Sequence, residues 1–430
     1  MDIEEYRIRP NSFTAMHGSF VASHCISDSL IFLSLGIGCK AQLPSYMGSH
    51  ETGNNYVSRM GWAELDGGDL IRGSTEKIRR NILGQIDRGI ANFFPIVISP
   101  VVKTIGMEDL IKKTAADLER ETGKHIRLVE LSGAESDFWE GYNNIIVTFL
   151  KTLDWKKKVE RKTVNIFGYP FDRYGKEHSA NVKELRMMLA KIGVKVQAIF
   201  LSGSSTAELA EAQKAEFNIM MPHASTMVRE IEKITRKESI MTDIPLGLEN
   251  TKKWMQQVAT ALKRGKRQAS EYIRTEEEHS KEKIRSLKKK NDGKTAGLVL
   301  DLPHIGSMIS MLNDIGRKIG FIAVRDRHFG GKEMLHKILK YTNIDPKDVR
   351  TLVSPTLENL MTAARECNTD IVIGSAAEVD FVERATGSKK FIFGFPSYGK
   401  HYWESFPFLG YNGGLNLAEE ITDTLEGRMR

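Results

Sequence analysis

The 430 residues are 41% hydrophobic and carry 62 basic against 55 acidic side chains, a net charge of +7, and a chain this long outgrows one hydrophobic core and divides into two or three domains. No apolar run approaches the roughly 20 residues that cross a bilayer; the best candidate, Leu30 to Ile37, is interrupted by Ser34 and Gly36. The three cysteines, Cys25, Cys39 and Cys367, form no CxxC pair, which excludes a disulfide framework and a self-contained zinc finger.

The start, with Asp2, Glu4 and Glu5, has the wrong charge for a signal peptide, and a cytoplasmic location is the expectation. Much of the basic excess is local: Lys156 to Lys158 with Arg161 and Lys162, Lys263 to Arg267, and Arg285 to Lys290. Such blocks between domains read as solvated surface, and no RNA-binding aromatic motif or helix-turn-helix pattern accompanies them. Neither nucleic acid nor membrane is expected as a partner.

Three stretches begin as βα units. Phe93 to Pro100 reads as a strand and turn, followed by a helix from about Glu108 to Thr122 and a strand from His125 to Leu131. Thr163 to Pro170 opens the second unit, with a helix from about Asn181 to Ile192 stopped by Gly193, and a strand from Val194 to Leu201. Ala296 to Pro303 opens the third, with its helix ending near Gly316 and a strand from Gly320 to Arg325. The second and third units continue: Glu208 to Ala215 leads to the apolar run Phe217 to Met221, and Leu357 to Cys367 leads to Ile371 to Gly374.

Apolar runs without alternation, each followed by a helix, belong to parallel sheets buried on both faces. The expected fold is therefore α/β, with three Rossmann-like domains of mostly parallel sheets flanked by helices. The boundaries are drawn at 1–158, 159–292 and 293–430, with a long exposed helix over the Glu/Lys/Arg-rich stretch 271–290. Ligands of such sheets bind beyond the carboxyl ends of the strands. That points to the loops Ser99 to Gly106, Gly168 to Lys176, Ser202 to Thr206 and Pro303 to Ser307. None holds a dinucleotide fingerprint, and no phosphate-binding P-loop exists.

The N-terminal stretch Gly36-Ile37-Gly38-Cys39-Lys40-Ala41-Gln42-Leu43-Pro44 follows an apolar run. Gly36 and Gly38 let the backbone approach something bulky and leave the Cys39 thiol at the end of a strand. The same pattern also suits a small buried thiol in a tight turn. Cys25, beside His24, reads either as a core thiol at helical spacing between Phe20 and Leu33 or as a second metal ligand. Cys367 reads as core, and His17, His24 and His50 as capping or exposed residues, or as donors near Cys39.

Motifs spread in order along the chain resemble the nitrogenase component 1 family. They are Gly38-Cys39 after a hydrophobic strand, Thr75-Glu76-Lys77-Ile78, Pro95 to Asp109 with Ile105-Gly106-Met107-Glu108-Asp109, and Gly133 to Tyr142 ending Glu140-Gly141-Tyr142. Further on come Ile244-Pro245-Leu246-Gly247-Leu248 with Thr251, Phe393-Gly394-Phe395-Pro396, His401-Tyr402 and Gly410-Tyr411-Asn412-Gly413-Gly414. The α-type subunits of that family bring three cysteines to a bridging cluster. Here the earlier position falls near Thr14, the later loop Ser99 to Val102 has no cysteine, and Cys39 alone matches. This single-cysteine pattern is similar to the β-type chains of nitrogenase, of chlorophyllide reductase and of the cofactor-assembly scaffold.

The resemblance implies an iron–sulfur cluster, [4Fe–4S] or larger, shared with a partner subunit, because one thiolate cannot hold a cluster that takes four ligands; otherwise the chain has no cluster. It implies a cysteine-richer α-type subunit in an α2β2 heterotetramer and an ATP-hydrolysing iron–sulfur reductase dimer that delivers electrons. The implied activity is reduction of a tetrapyrrole or of a small sulfur- or nitrogen-containing substrate. The alternative is a scaffold for metallocluster assembly without turnover. His401, Tyr402 and Trp403 fall near where α-type chains carry an active-cofactor histidine, which would imply a catalytic role; the closer match is to β-type chains, where the segment is structural or faces another subunit. The stretch Gly36 to Trp62, with Met47, Tyr56, Met60 and Trp62, is expected to face the α-type subunit, or else to fold back over the first domain's core.

Overall fold

The computed structural model describes residues 14–35, 59–65, 68–69, 75–132, 137–169, 175–325, 331–395, 397 and 404–428. Among the described residues, thirteen strands form three sheets. The first sheet holds β1 (Ile31–Leu35), β2 (Met60–Glu64), β3 (Phe93–Ile98) and β4 (His125–Leu128), in the order β2-β1-β3-β4. The second holds β5 (Thr163–Phe167), β6 (Lys195–Ile199), β7 (Phe217–Met220) and β8 (Ser239–Met241), in the order β6-β5-β7-β8. The third holds β9 (Thr295–Leu300), β10 (Lys318–Val324), β11 (Arg350–Val353), β12 (Ile371–Gly374) and β13 (Lys389–Ile392), in the order β11-β10-β9-β12-β13.

Every strand pair within these sheets is parallel. The chain is thus an α/β protein of parallel sheets flanked by helices. The strands β3, β5 and β12 are buried along their whole length, which is why their residues are apolar without alternation. The helix Glu108–Thr122 lies where the sequence puts it, closed by Gly123 in the left-handed conformation at φ 66°. The charged stretch after residue 264 is one helix, Lys266–Asn291, packed on Leu248–Ala261 and on the C-terminal helix Gly410–Leu425.

Of the stretch expected to face the α-type subunit or to fold back over the first domain's core, Met60 and Trp62 take the second course: they lie in β2, which pairs with β1, and Met60 is buried while Trp62 packs against the core. Met47 and Tyr56 lie outside the described residues. The helix Ala15–His24 ends at Cys25, and the chain turns into β1 from Ile31.

The helix Ala15–His24 lies in close contact with Phe138–Leu150. Glycines permit the crossing: a Cβ on Gly18 would sit 2.8 Å from the Phe138 carbonyl carbon, and one on Gly141 would sit 2.7 Å from the Ala15 Cα. A similar approach joins two other segments. Gly410 N–H donates to the Pro245 carbonyl at 2.9 Å, and a Cβ on Gly414 would lie 3.0 Å from the Gly247 Cα.

Candidate functional site

The strands β1 and β3 lie side by side, with Ser34 opposite Ile98, and Ser99 N–H donates to the Ser34 carbonyl at 3.0 Å. The segment carrying Gly36, Gly38 and Cys39 continues directly from β1. The Ser99 loop, which becomes the short helix Pro100–Thr104, continues from β3. Both therefore leave the same carboxyl edge of the first sheet, the edge where ligands of parallel sheets bind. Gly36, Gly38, Cys39 and His50 themselves lie outside the described residues, as do His401, Tyr402 and Trp403. The Ser34 hydroxyl at this edge is buried and has no hydrogen-bond partner among the described residues.

Thr14 caps the helix Ala15–His24 together with His17, whose Nδ1 lies 3.0 Å from the Thr14 hydroxyl and accepts from the Thr14 N–H at 3.2 Å. Burial lowers the His17 pKa to about 4. His24 lies against the Phe20 ring at 4.3 Å, and its Nδ1 sits 2.9 Å from the Phe20 carbonyl. The Cys25 thiol donates to the Val21 carbonyl at 3.0 Å, fully buried in the main core. Cys367 closes the helix Leu357–Glu366 and packs on the core around the third sheet. Neither cysteine joins a metal-ligating group among the described residues.

A second constellation was only half visible in the sequence, because the loop Pro303 to Ser307 was singled out but its neighbours were not. It forms where the carboxyl ends of β7, β9, β10 and β12 face the helix Phe138–Leu150. Asp301 follows β9 directly, and His304 lies in the first turn of the helix Leu302–Asp314. His223 arrives from the turn Pro222–Met227 after β7. A carboxylate only accepts, so each imidazole turns an N–H toward it: His223 Nε2 donates to Asp301 Oδ2 at 2.6 Å, and His304 Nδ1 to Asp301 Oδ1 at 2.8 Å.

All three side chains are buried, and their donor atoms lie within 4.8 Å of one another. Aromatic rings wall the group: Trp139 lies 4.4 Å from the His223 ring, and Phe393 lies 5.3 Å from His304. Asn143 holds the turn by donating to the His223 carbonyl at 2.7 Å. Arg325, at the end of β10, reaches to 3.7 Å from Asp301 and 3.9 Å from Glu378, and donates to the Phe395 carbonyl at 2.7 Å.

Burial outweighs the Asp301 hydrogen bond at His223 and lowers its pKa to about 4, so the ring is neutral at physiological pH. Burial alone would raise the Asp301 carboxyl, but the facing imidazoles outweigh it and hold the group well below the usual carboxylate range. The sequence signal for this group is an Asp-x-x-His pair at a strand-to-helix junction, visible once β9 is placed. His223, 78 residues away from Asp301, needs the fold.

A cleft of about 920 Å³ opens between the second and third sheet units. Its lining includes Thr242, Lys253, Ser307, Asp314, Met334 and Tyr341. At its wall the Asp314 carboxylate accepts from the Leu248 N–H at 2.7 Å and the Glu249 N–H at 3.3 Å, capping the helix Leu248–Ala261 from the neighbouring unit.

Three parallel sheets flanked by helices, the second and third meeting at their carboxyl ends, define a Rossmann-type architecture repeated along one chain. The chain belongs to the nitrogenase component 1 type oxidoreductase family, whose model matches residues 14–426. It is 22% identical to a nitrogenase molybdenum-iron protein beta chain of Methanococcus maripaludis, over 81% of this chain and 80% of that one. It is 26% identical to the molybdenum-iron protein alpha chain of Methanothermococcus thermolithotrophicus over 56% of this chain, and so spans about half (48%) of that relative's length. One of the subunits of the light-independent protochlorophyllide reductase of Leptolyngbya boryana is 28% identical over 45% of this chain and 39% of its own. Among solved structures, nitrogenase Cp1 at pH 6.5 superposes with a TM-score of 0.83 at 15% identity, covering 98% of this chain and 93% of that one. The described residues include no helix long and apolar enough to cross a membrane.

Proposed function

We propose that the chain is the β-type subunit of a nitrogenase-like iron–sulfur reductase. It would work in an α2β2 heterotetramer with a cysteine-richer α-type subunit and receive electrons from an ATP-dependent reductase partner. The observation that carries this reading is the pairing of β1 with β3. It brings the segment that leads to Cys39 and the Ser99 loop out of one sheet edge, within a chain that matches the family over residues 14–426.

The residues at this edge fit a shared cluster and not a private one. Cys39 is the single cysteine near it in sequence, Cys25 is bonded to its own helix, and Cys367 lies beside the third sheet. Four ligands are the norm for a cubane cluster, so the partner must bring the remainder. Such a cluster, when bound, would store and pass on single electrons. This chain's part is to present the Cys39 thiolate, with Gly36 and Gly38 leaving space for close backbone approach. The target would be a tetrapyrrole double bond or a small sulfur- or nitrogen-containing molecule, bound largely on the α-type side.

The test is co-purification with the α-type partner. Cys39→Ala should lower iron content and the broad iron–sulfur absorbance at about 400 nm, while Cys367→Ala retains both. A brown, iron-loaded chain purified without any partner, or equal loss in the two variants, defeats the reading. Cluster loading with no turnover under ATP and reductase would mark a scaffold instead of an enzyme.

A further inference from the structure

The structure assigns a second, thiolate-free metal site: we propose that His223, Asp301 and His304 hold one divalent first-row transition ion of the zinc or iron(II) type. The inference does not rest on the cluster reading. Its donors are two imidazoles and a carboxylate gathered from the second and third sheet units, and imidazole with carboxylate suits zinc and iron(II), while soft copper(I) favours sulfur.

The geometry is close to what such an ion needs. The two hydrogen-bonded donor pairs are 2.6 and 2.8 Å apart, and all three donor atoms fall within 4.8 Å. Bonds of about 2.0 Å in tetrahedral array space their donors by about 3.3 Å, so the two His–Asp pairs, made to different Asp301 oxygens, need open by well under an ångström, while the two imidazole nitrogens, within 4.8 Å of each other, draw together by at most about 1.5 Å. One or two coordination positions remain beyond these three ligands.

The surroundings support the same assignment. The side chains are fixed from outside: Trp139 packs on His223, Phe393 lies on His304, and Asn143 secures the backbone of the His223 turn. Ligands held in this way lose little freedom on binding, which is what supporting contacts do in metal sites. The charge balance admits a dication. Asp301 and Glu378 bring two negative charges and Arg325 one positive, and Arg325 is turned partly toward Glu378 and the Phe395 carbonyl.

Cobalt(II) is the probe. The full chain, purified alone under reducing conditions and stripped with chelator, should take up one equivalent, with visible d–d bands and no sulfur-to-cobalt charge transfer. Zinc(II) should displace it, and zinc-edge X-ray absorption should show imidazole and oxygen neighbours only. His304→Gln, at the edge of the group, should weaken binding by at least about 100-fold, more than the loss of a supporting contact costs. Cys39→Ala should leave the bands unchanged, which keeps this test apart from the cluster test. Failure of the wild-type chain to bind cobalt(II) at one equivalent, sulfur in the absorption spectrum, or bands that survive His304→Gln would overturn the assignment. If His304→Gln does not fold, the wild-type zinc spectrum decides: two imidazoles support the site and any other shell refutes it.

Discussion

Replacing Gly141 by alanine should damage the contact that joins the N-terminal helix to the helix walling the His–Asp–His group. An ideal Cβ at Gly141 would lie 2.7 Å from the Ala15 Cα, with the Ala15 carbonyl nearer still. Carbon atoms pack at about 3.5–4.0 Å, so the two helices must separate by roughly 1 Å. The opposing atoms are backbone, and no rotamer change can relieve the clash. Overpacking costs about 1–3 kcal/mol, and a backbone clash belongs at the upper end. Alanine recovers about 1 kcal/mol of helix propensity, leaving a net loss of about 2 kcal/mol. Gly84 is the control: it lies in the helix Thr75–Ile86 with nothing within 4 Å of its Cβ position. The same substitution there should stabilise by about 0.5–1 kcal/mol. Thermal melts should show Gly141→Ala falling by several degrees and Gly84→Ala holding or rising, with hydrogen exchange faster over residues 138–150 in the first variant alone. A Gly141→Ala protein as stable as wild type, or a destabilised Gly84→Ala, would refute the packing argument.

Two carboxylates that tie neighbouring units together should respond to pH in opposite directions. Burial raises the Asp314 pKa to about 6, outweighing the helix-capping N–H groups. A group raised above its unfolded value favours the fold when protonated, so its contribution is lost as pH rises from about 4 through 6. Asp314→Asn should flatten that window, by about 1–3 kcal/mol, in melts taken across it. At Asp28, burial alone would raise the pKa. Hydrogen bonds from the Thr206 hydroxyl, Asn92 and the Thr206 N–H together outweigh it and leave the group below its ordinary value. Its stabilisation is present above about pH 4 and is lost as pH falls through the lower folded value. Asp28→Ala should cost no more than about 1 kcal/mol at neutral pH, because the carboxylate is half exposed, and the cost should shrink in acid; a cost that grows in acid would reverse the sign assigned to it.

Much of the fold was legible because central parallel strands are buried on both faces and must be apolar throughout. β3, β5, β9 and β12 announce themselves in this way, and the helices after them follow from period and stop signals. The strands missed are β2, β8, β11 and β13, each at a sheet edge. An edge strand is covered less completely, and the sequences show it: β11 reads Arg-Thr-Leu-Val and β13 Lys-Lys-Phe-Ile, each with partly exposed residues. β2 is further disguised by Gly61 in its middle, where a Cβ would sit 2.9 Å from the Phe32 ring. That glycine looked like loop composition but serves close packing against the neighbouring strand.

The family-like motifs show the same physics at the level of function. Glu140-Gly141-Tyr142 is a helix crossing, with Tyr142 buried. The Pro245 to Gly247 step meets the Gly410 to Gly414 motif through the Gly410–Pro245 hydrogen bond, and the Leu246–Leu409 bridge lies beside it. Phe393 and Phe395 lie against His304 and Phe138. These residues are recognisable in sequence because close approach tolerates few side chains, and each makes a packing contact. His223, Asp301 and His304, by contrast, carry ordinary-looking local sequence, and the strand order brings them together. Substitutions at those three that leave the glycine contacts intact would therefore separate the packing of the scaffold from the metal site proposed where the second and third sheets meet.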